Sequence, residues 1–329
     1  MNEAVERQRQ TPGGKARPKL KLPESWILIV VIIAMCLGIG IIEPVFFSFE
    51  NVVNIIISIS VICIVGVGMT MVMLTGGIDV SVGGILALSA TIAGSMLKNP
   101  DIPVFVPVIV ALLVGLVCGA FNGFCTAVLR IPALIVTLAT LSITRGLVLI
   151  YTRGQASYGF SKSFLVLGQG RFLGIPIVVY LTIILLAIGM FILNRTAFGR
   201  RIYAIGNNAV ASRVVGIRVK SVLISIFGLT GVLCAIAGLT TISRMNAAPA
   251  ILAEGLEFQT ITAVVIGGTS ILGGRGSIGK TVIGAVIVGL ILNGLQLIGV
   301  SVYYNQFLSG MILLVAVMLD MLRQRKTLQ

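Results

Sequence analysis

The chain has 329 residues, of which 57% are apolar and only 10% charged, with a net charge of +14 and a mean hydropathy of +1.11. A soluble domain carries about 25% charged residues, so this composition excludes a water-exposed globule and a disordered chain. The basic residues lie in gaps between apolar runs rather than in one stripe, which is the pattern of cytoplasmic loops and not of a nucleic-acid surface.

Residues 1–25 form a polar tail with six basic residues, Arg7 to Lys21, expected to be cytoplasmic. No small-residue cleavage site follows the first apolar run, so that run is expected to stay as a span. Ten apolar runs then fall at about 26–42, 52–74, 81–97, 104–129, 131–151, 173–194, 221–243, 258–273, 281–298 and 303–322. At ~20 residues per crossing they predict an all-α, polytopic transmembrane bundle over 26–322, with a cytoplasmic tail at 323–329. The runs at 81–97, 258–273 and 281–298 are short and rich in Gly, which makes them candidates for broken or re-entrant helices.

With the N-terminus inside, 18 Lys and Arg fall in inner segments and 5 (Lys98, Arg153, Lys162, Arg171, Arg244) in outer ones. That bias predicts ten spans with both termini cytoplasmic. Arg145 lies within a span, about two turns from its end, where it can line a path, tie helices together through hydrogen bonds or snorkel outward. Glu254 and Glu257 are placed at outer ends and Asp79 at an inner turn, so no carboxylate is expected near a span centre. An ion-coupled carrier usually needs one, and energy is therefore expected from elsewhere.

His is absent, and the five cysteines lie inside apolar runs without CxxC spacing. No disulfide, metal site, cofactor or catalytic constellation is expected.

Gly76-Gly77-Ile78-Asp79-Val80-Ser81-Val82-Gly83 resembles Gly273-Gly274-Arg275-Gly276-Ser277-Ile278-Gly279 with one residue skipped. Gly76, Gly77, Asp79, Gly273 and Gly274 are candidate gate or turn residues. Paired Gly-interrupted segments point to a transport pathway or to close helix packing. Gly274 to Thr281 also matches GxxxxGK[ST], and the run ending at Asp320 imitates a Walker-B strand. A phosphate loop needs a buried strand before it and a soluble helix after it. Here an apolar span follows, so a Gly-rich turn is expected instead.

Asn122, Gln259, Asn293 and Gln296 interrupt apolar runs. Each either lines a path for a polar solute or ties helices together through hydrogen bonds. The one substantial inner loop, 195–220, contains a short helix-competent stretch, 209–215. Asn208 can cap its start and Gly216 stop it, with Ala211, Val214 and Val215 on one face. It reads as a docking element or as an interfacial helix on lipid.

This loop resembles the coupling segment of ribose/monosaccharide-type permeases of bacterial ABC importers, GRxxYAxGxNxxAAxxxGI. Gly199-Arg200, Tyr203-Ala204, Gly206, Asn208, Ala211 and Gly216-Ile217 match; Ser212 replaces an Ala and Asn207 a Gly. Residues 76–83, 132–146, 263–279 and 293–300 are similar to the same family, so the resemblance covers about 45–320. Lys280-Thr281 departs from its commoner small or apolar residues. The resemblance implies a permease without enzymatic activity in the bacterial inner membrane. Two permease chains would form the pore. Two cytoplasmic ABC ATPases would dock under 208–216, through Gly206, Asn208, Val210, Ala211, Ser212, Arg213 and Gly216. A periplasmic or lipid-anchored sugar-binding protein would deliver the sugar. Ribose, xylose, arabinose, galactose and autoinducer-2 permeases look alike in these motifs. A stand-alone carrier or channel is the rival reading.

Overall fold

A computed structural model describes residues 24–301 and 304–327; the basic tail through residue 23 lies outside the described residues, as do 302–303 and 328–329. Thirteen α-helices follow in order among the described residues: α1 (Glu24–Ile42), α2 (Phe49–Leu74), α3 (Val82–Met96), α4 (Phe105–Ala127), α5 (Ala133–Thr152), α6 (Lys162–Gln169), α7 (Ile177–Arg195), α8 (Ala197–Asn207), α9 (Ala209–Val214), α10 (Val219–Met245), α11 (Leu256–Ile266), α12 (Ile278–Leu297) and α13 (Asn305–Thr327). Each of the ten apolar runs has become one helix. Six of them (α2, α4, α5, α7, α10, α12) are long and apolar enough to cross a membrane, and α1, α3, α11 and α13 contribute shorter apolar stretches. Helix α13 runs on through 323–327, where a separate tail was expected.

Helices α2 and α10 are buried along most of their length, whereas α4, α5 and α7 keep exposed apolar faces such as Phe121, Ile150 and Phe191. Such a surface is costly in water and suits lipid. Helices α4 and α10 pack backbone to backbone. Gly115, Gly119 and Gly123, spaced by four, lie against the backbones of Gly231, Phe227 and Ile224. Without side chains there, two helix backbones come close enough to gain dispersion contacts that lipid cannot replace.

Two short antiparallel ladders mark one end of the bundle. Strand β1 (Ser157–Tyr158) pairs with β4 (Ala247–Ala248), and β2 (Arg171–Phe172) pairs with β3 (Ile175–Pro176). Helices α8 and α9 sit at the other end, with α8 against the turns that follow α2 and α11 and α9 against α8 and α10.

Helix α3 is short but unbroken, and what interrupts its run is the non-helical segment before it; α12 is continuous over 20 residues, so 281–298 is not a broken element. Residues 75–81 do not form a surface turn; they climb along α5. A Cβ on Gly77 would lie 3.6 Å from Ala133, at the start of α5, and Thr137 Oγ1 donates to the Ile78 carbonyl at 3.1 Å. Gly84 meets Leu141 and Thr144, halfway along α5. The expectation for Asp79 is thereby corrected: it is fully buried. Its Oδ1 accepts from Ser81 N (2.9 Å) and Ser81 Oγ (2.5 Å), because the chain re-enters the bundle before it resumes a helix.

Ser81 Oγ also accepts from Asn122 Nδ2 at 2.8 Å, and Thr140 Oγ1 donates to Asn122 Oδ1 at 2.6 Å. This buried relay ties the start of α3 to α4 and α5. Asn122→Leu strands the buried Thr140 hydroxyl and removes the donor to Ser81 Oγ, which keeps its bond to Asp79, at ~1–3 kcal/mol for each bond lost. It should lower the thermal midpoint in detergent by roughly 5–10 °C. An unchanged midpoint would mean that the relay carries no stability.

Helix α11 stops at Ile266, seven residues before the apolar run ends, where Gly267 caps it and Gly268 (φ +85°) turns the chain. Its start lies beside Gly83, where a Cβ would collide with Glu257 and sit 2.9 Å from the Ala253 carbonyl. Glu257 is therefore not at an outer end but buried, with 4% exposure. Two short helices meet there, N-terminus toward N-terminus. Arg145 does not snorkel. Its Nη1 and Nη2 donate to the Leu252 and Ala253 carbonyls at 2.5 and 2.9 Å.

Candidate solute cavity and coupling junction

A cavity of about 490 Å³ opens at the end where α2 begins and α10 and α12 finish. That volume lies within the ~300–1,000 Å³ typical of small-molecule sites. Its polar lining includes Asn51 and Asn54 of α2, Arg244 of α10, Gln259 of α11, and Asn293 and Gln296 of α12. Three of the four sequence candidates thus line one space, while Asn122 does not; it belongs to the relay at the start of α3.

The asparagines there are held, not loose. Asn51 Nδ2 donates to Asn293 Oδ1 (3.2 Å) and to the Phe46 carbonyl (2.9 Å), and Asn293 Nδ2 returns a bond to Asn51 Oδ1 (2.8 Å). Arg244 Nη2 donates to Asn54 Oδ1 at 2.9 Å. Ser48 caps α2 and fixes this end, its side chain accepting from Asn51 N. Carboxamides both donate and accept, which complements the hydroxyls of a neutral polar solute. Asn51 and Asn54 were not singled out in the sequence. They stand within the first turns of α2, where polar residues pass for helix-start chemistry.

At the opposite end, Asn208 Oδ1 accepts from the Val210 and Ala211 amides, both at 2.9 Å, and so caps α9. Gly216, at φ +84°, ends the turn, with Gly216 N bonded to the Arg213 carbonyl and Ile217 N to that of Ser212. The cap and stop stand where the sequence placed them. Ser212 is buried, whereas Val210, Val214 and Val215 are 69%, 83% and 75% exposed. Three aliphatic side chains facing solvent on so short a helix form an apolar knob.

The knob is joined to the bundle through α8, a helix within the 195–220 stretch expected to be mostly loop. Its signals were Thr196, which caps it by accepting from Gly199 N, and the apolar spacing Phe198, Ile202, Ile205. Gly206 packs with no room for a side chain against the Leu74 carbonyl, at the end of α2, and Gly274 N. Gly274 N in turn donates to the Leu74 carbonyl at 2.9 Å. Tyr203 OH donates to the Gly276 carbonyl at 2.9 Å, and burial pushes this phenol above its ordinary pKa, so it remains a donor.

The two Gly-rich segments therefore touch, with Gly76, Gly273 and Gly274 all at positive φ. They diverge afterwards: residues after Gly77 enter the bundle, whereas Ser277 caps α12 directly. The nucleotide motif is a turn. Thr281 Oγ1 bonds to Thr70 Oγ1 (2.8 Å) in a buried contact between α12 and α2. Helices α2 and α12, which carry Asn51 and Asn293 at one end, are thus gripped together at the other.

A bundle of apolar helices with an amide-lined cavity at one end and a capped helical elbow at the other has the parts of a membrane permease. The chain belongs to the family of branched-chain amino acid transport system permease components, which it matches over residues 51–317. It is 39% identical over 300 residues to the ribose import permease protein of Haemophilus influenzae, covering 90% of this chain and 92% of that one. The ribose import permease protein of Bacillus subtilis is 40% identical over 300 residues, covering 91% of each. The autoinducer 2 import system permease protein of Escherichia coli is 36% identical over 297 residues, covering 90% of this chain and 86% of its own. No solved structure matches the chain. The family read from the coupling segment is borne out.

Proposed function

We propose that this chain is the permease of an ATP-binding-cassette importer of the bacterial inner membrane that takes up a neutral monosaccharide, a ribose-like pentose. In this reading it crosses the membrane ten times with both termini in the cytoplasm. It pairs with a second permease chain, receives sugar from an extracytoplasmic binding protein, and is driven by cytoplasmic ATPases docked on the knob of α9. The observation that carries the reading is the cavity, whose paired amides suit a polyol and which lies at the end opposite the elbow. The inner-to-outer excess of basic residues supports that orientation. The ribose-import relatives support the substrate class.

The test is uptake of radiolabelled ribose by the permease reconstituted with its ATPase and binding protein. Removing either partner should abolish uptake. Asn293→Leu removes one wall of the amide pair and strands Asn51, so it should lower uptake about tenfold, equivalent to ~1.4 kcal/mol. Uptake by the permease alone in liposomes would overturn the importer reading and favour a stand-alone carrier. The buried carboxyls of Asp79 and Glu257 would then be the first groups to test for ion coupling.

A further inference from the structure

A second cavity, of about 370 Å³, lies between α5, α13 and the segment that leads into α11. Ser142, Arg145, Glu254, Glu257 and Gln306 line it together with apolar side chains of α5. Ser142, Glu254 and Gln306 are exposed on this chain's surface and Glu257 is buried, and Arg145 stands at the level where α3 and α11 begin. Ionisable side chains at such depth face protein or water rather than hydrocarbon, because solvation by lipid is so poor. Glu257 is almost wholly buried, and its Oε2 has no hydrogen-bond partner. A buried, unpartnered carboxylate oxygen beside a polar cavity is an acceptor awaiting a donor.

The wall between this cavity and the amide-lined one is the segment 249–257. Glu254 borders both spaces, Ala253 and Leu256 border the first, and Ala250, Ile251 and Glu257 border the second. The segment is held in an unfavourable conformation: Ala253 has φ +56°, a left-handed value costly for a residue with a Cβ, and Gly255 follows at φ +80°. Its restraint is the guanidinium of Arg145, which grips the Leu252 and Ala253 carbonyls. A fork of donors on two successive carbonyls is a latch on that segment.

We propose that residues 249–257 form a partition across the solute path, latched by Arg145, and that the cavity behind it is a second binding station for the same neutral polyol. Given the transport reading above, on which the station rests, solute would pass from the amide-lined cavity to Glu254, Glu257, Ser142 and Gln306 as the partition moves. Carboxylates accept well from adjacent hydroxyls. Two of them against one Arg leave the station with net negative charge, so it selects against sugar phosphates.

The experiment uses thiol accessibility in the complete importer, with the five native cysteines replaced by alanine. A charged, membrane-impermeant thiol reagent is added from outside. Ser142→Cys reports the second cavity and Asn293→Cys the first. Release of the latch by Arg145→Gln should speed modification of Ser142→Cys at least fivefold and leave Asn293→Cys unchanged. Arg145→Lys, which keeps the charge but cannot hold both carbonyls, should do the same and serves if the Gln variant fails to insert. Saturating ribose should slow modification at both positions at least threefold, and ribose 5-phosphate should not.

Modification of Ser142→Cys that neither Arg145 variant speeds would overturn the partition, whatever the sugar. Protection of Asn293→Cys without protection of Ser142→Cys would overturn the second station while leaving the transport reading intact. Protection at neither position, with accessibility still set by Arg145, would sink the sugar reading and the station together but uphold the partition.

Discussion

Gly206→Val is expected to abolish sugar uptake by the assembled importer while the permease still inserts and folds. A Cβ at this position would run into the Leu74 carbonyl and lie 2.6 Å from Gly274 N, and both are backbone atoms that cannot swing aside. Helix α8 must lift off the junction, breaking the contact that joins the elbow to α2 and α12. The bundle survives because α8 packs on its end and not in its centre. Binding-protein-stimulated ATP hydrolysis should fall at least tenfold, with membrane yield within about twofold of the parent. Normal stimulation would show that force does not pass through Gly206.

Gly119→Val should have the opposite signature, with little folded permease in the membrane at all. Its Cβ would collide with the Phe227 carbonyl on α10, where the two helices pack backbone to backbone. Overpacking a well-ordered contact costs ~1–3 kcal/mol even when side chains can move, and here the obstruction is main chain. At least a tenfold drop in detergent-extracted monodisperse protein is expected. Gly146→Val is the control: that glycine faces open space on α5 and should give near-parental yield. Equal yields from both variants would mean that α4 and α10 separate without penalty.

Much of this architecture was legible before any coordinates. Ten apolar runs became ten helices because a segment surrounded by lipid must satisfy its backbone internally, which leaves composition as a direct guide. The cap at Asn208 and the stop at Gly216 were equally legible, since both act within one turn of the chain. What failed was depth. Asp79 and Glu257 sit in Gly-bearing stretches that read locally as surface turns, yet both are buried. Their burial comes from α5 and from the meeting of α3 with α11, contacts distant in sequence. For Arg145 the sequence leaves snorkelling, path-lining and hydrogen-bond glue open, because its partners, the Leu252 and Ala253 carbonyls, lie more than a hundred residues away. Gln259, Asn293 and Gln296 were visible as polar interruptions, but nothing in the chain alone could separate them from Asn122, whose partners are Ser81 and Thr140.

The grip on α2 and α12 at one end has a mechanical corollary. Helix α2 has 26 residues, and at 1.5 Å per residue its length is about 39 Å. Tilting such a rod by about 5° about its Leu74 end sweeps the Asn51 end through about 3 Å. The Asn51–Asn293 bonds are 2.8 and 3.2 Å long, and hydrogen bonds of this kind are lost within an ångström of stretching. A rotation too small to disturb the side-chain packing beside the pivot therefore suffices to part the amides at the far end. In the proposed transport reading, the permease needs no large domain motion to change its grip on a solute.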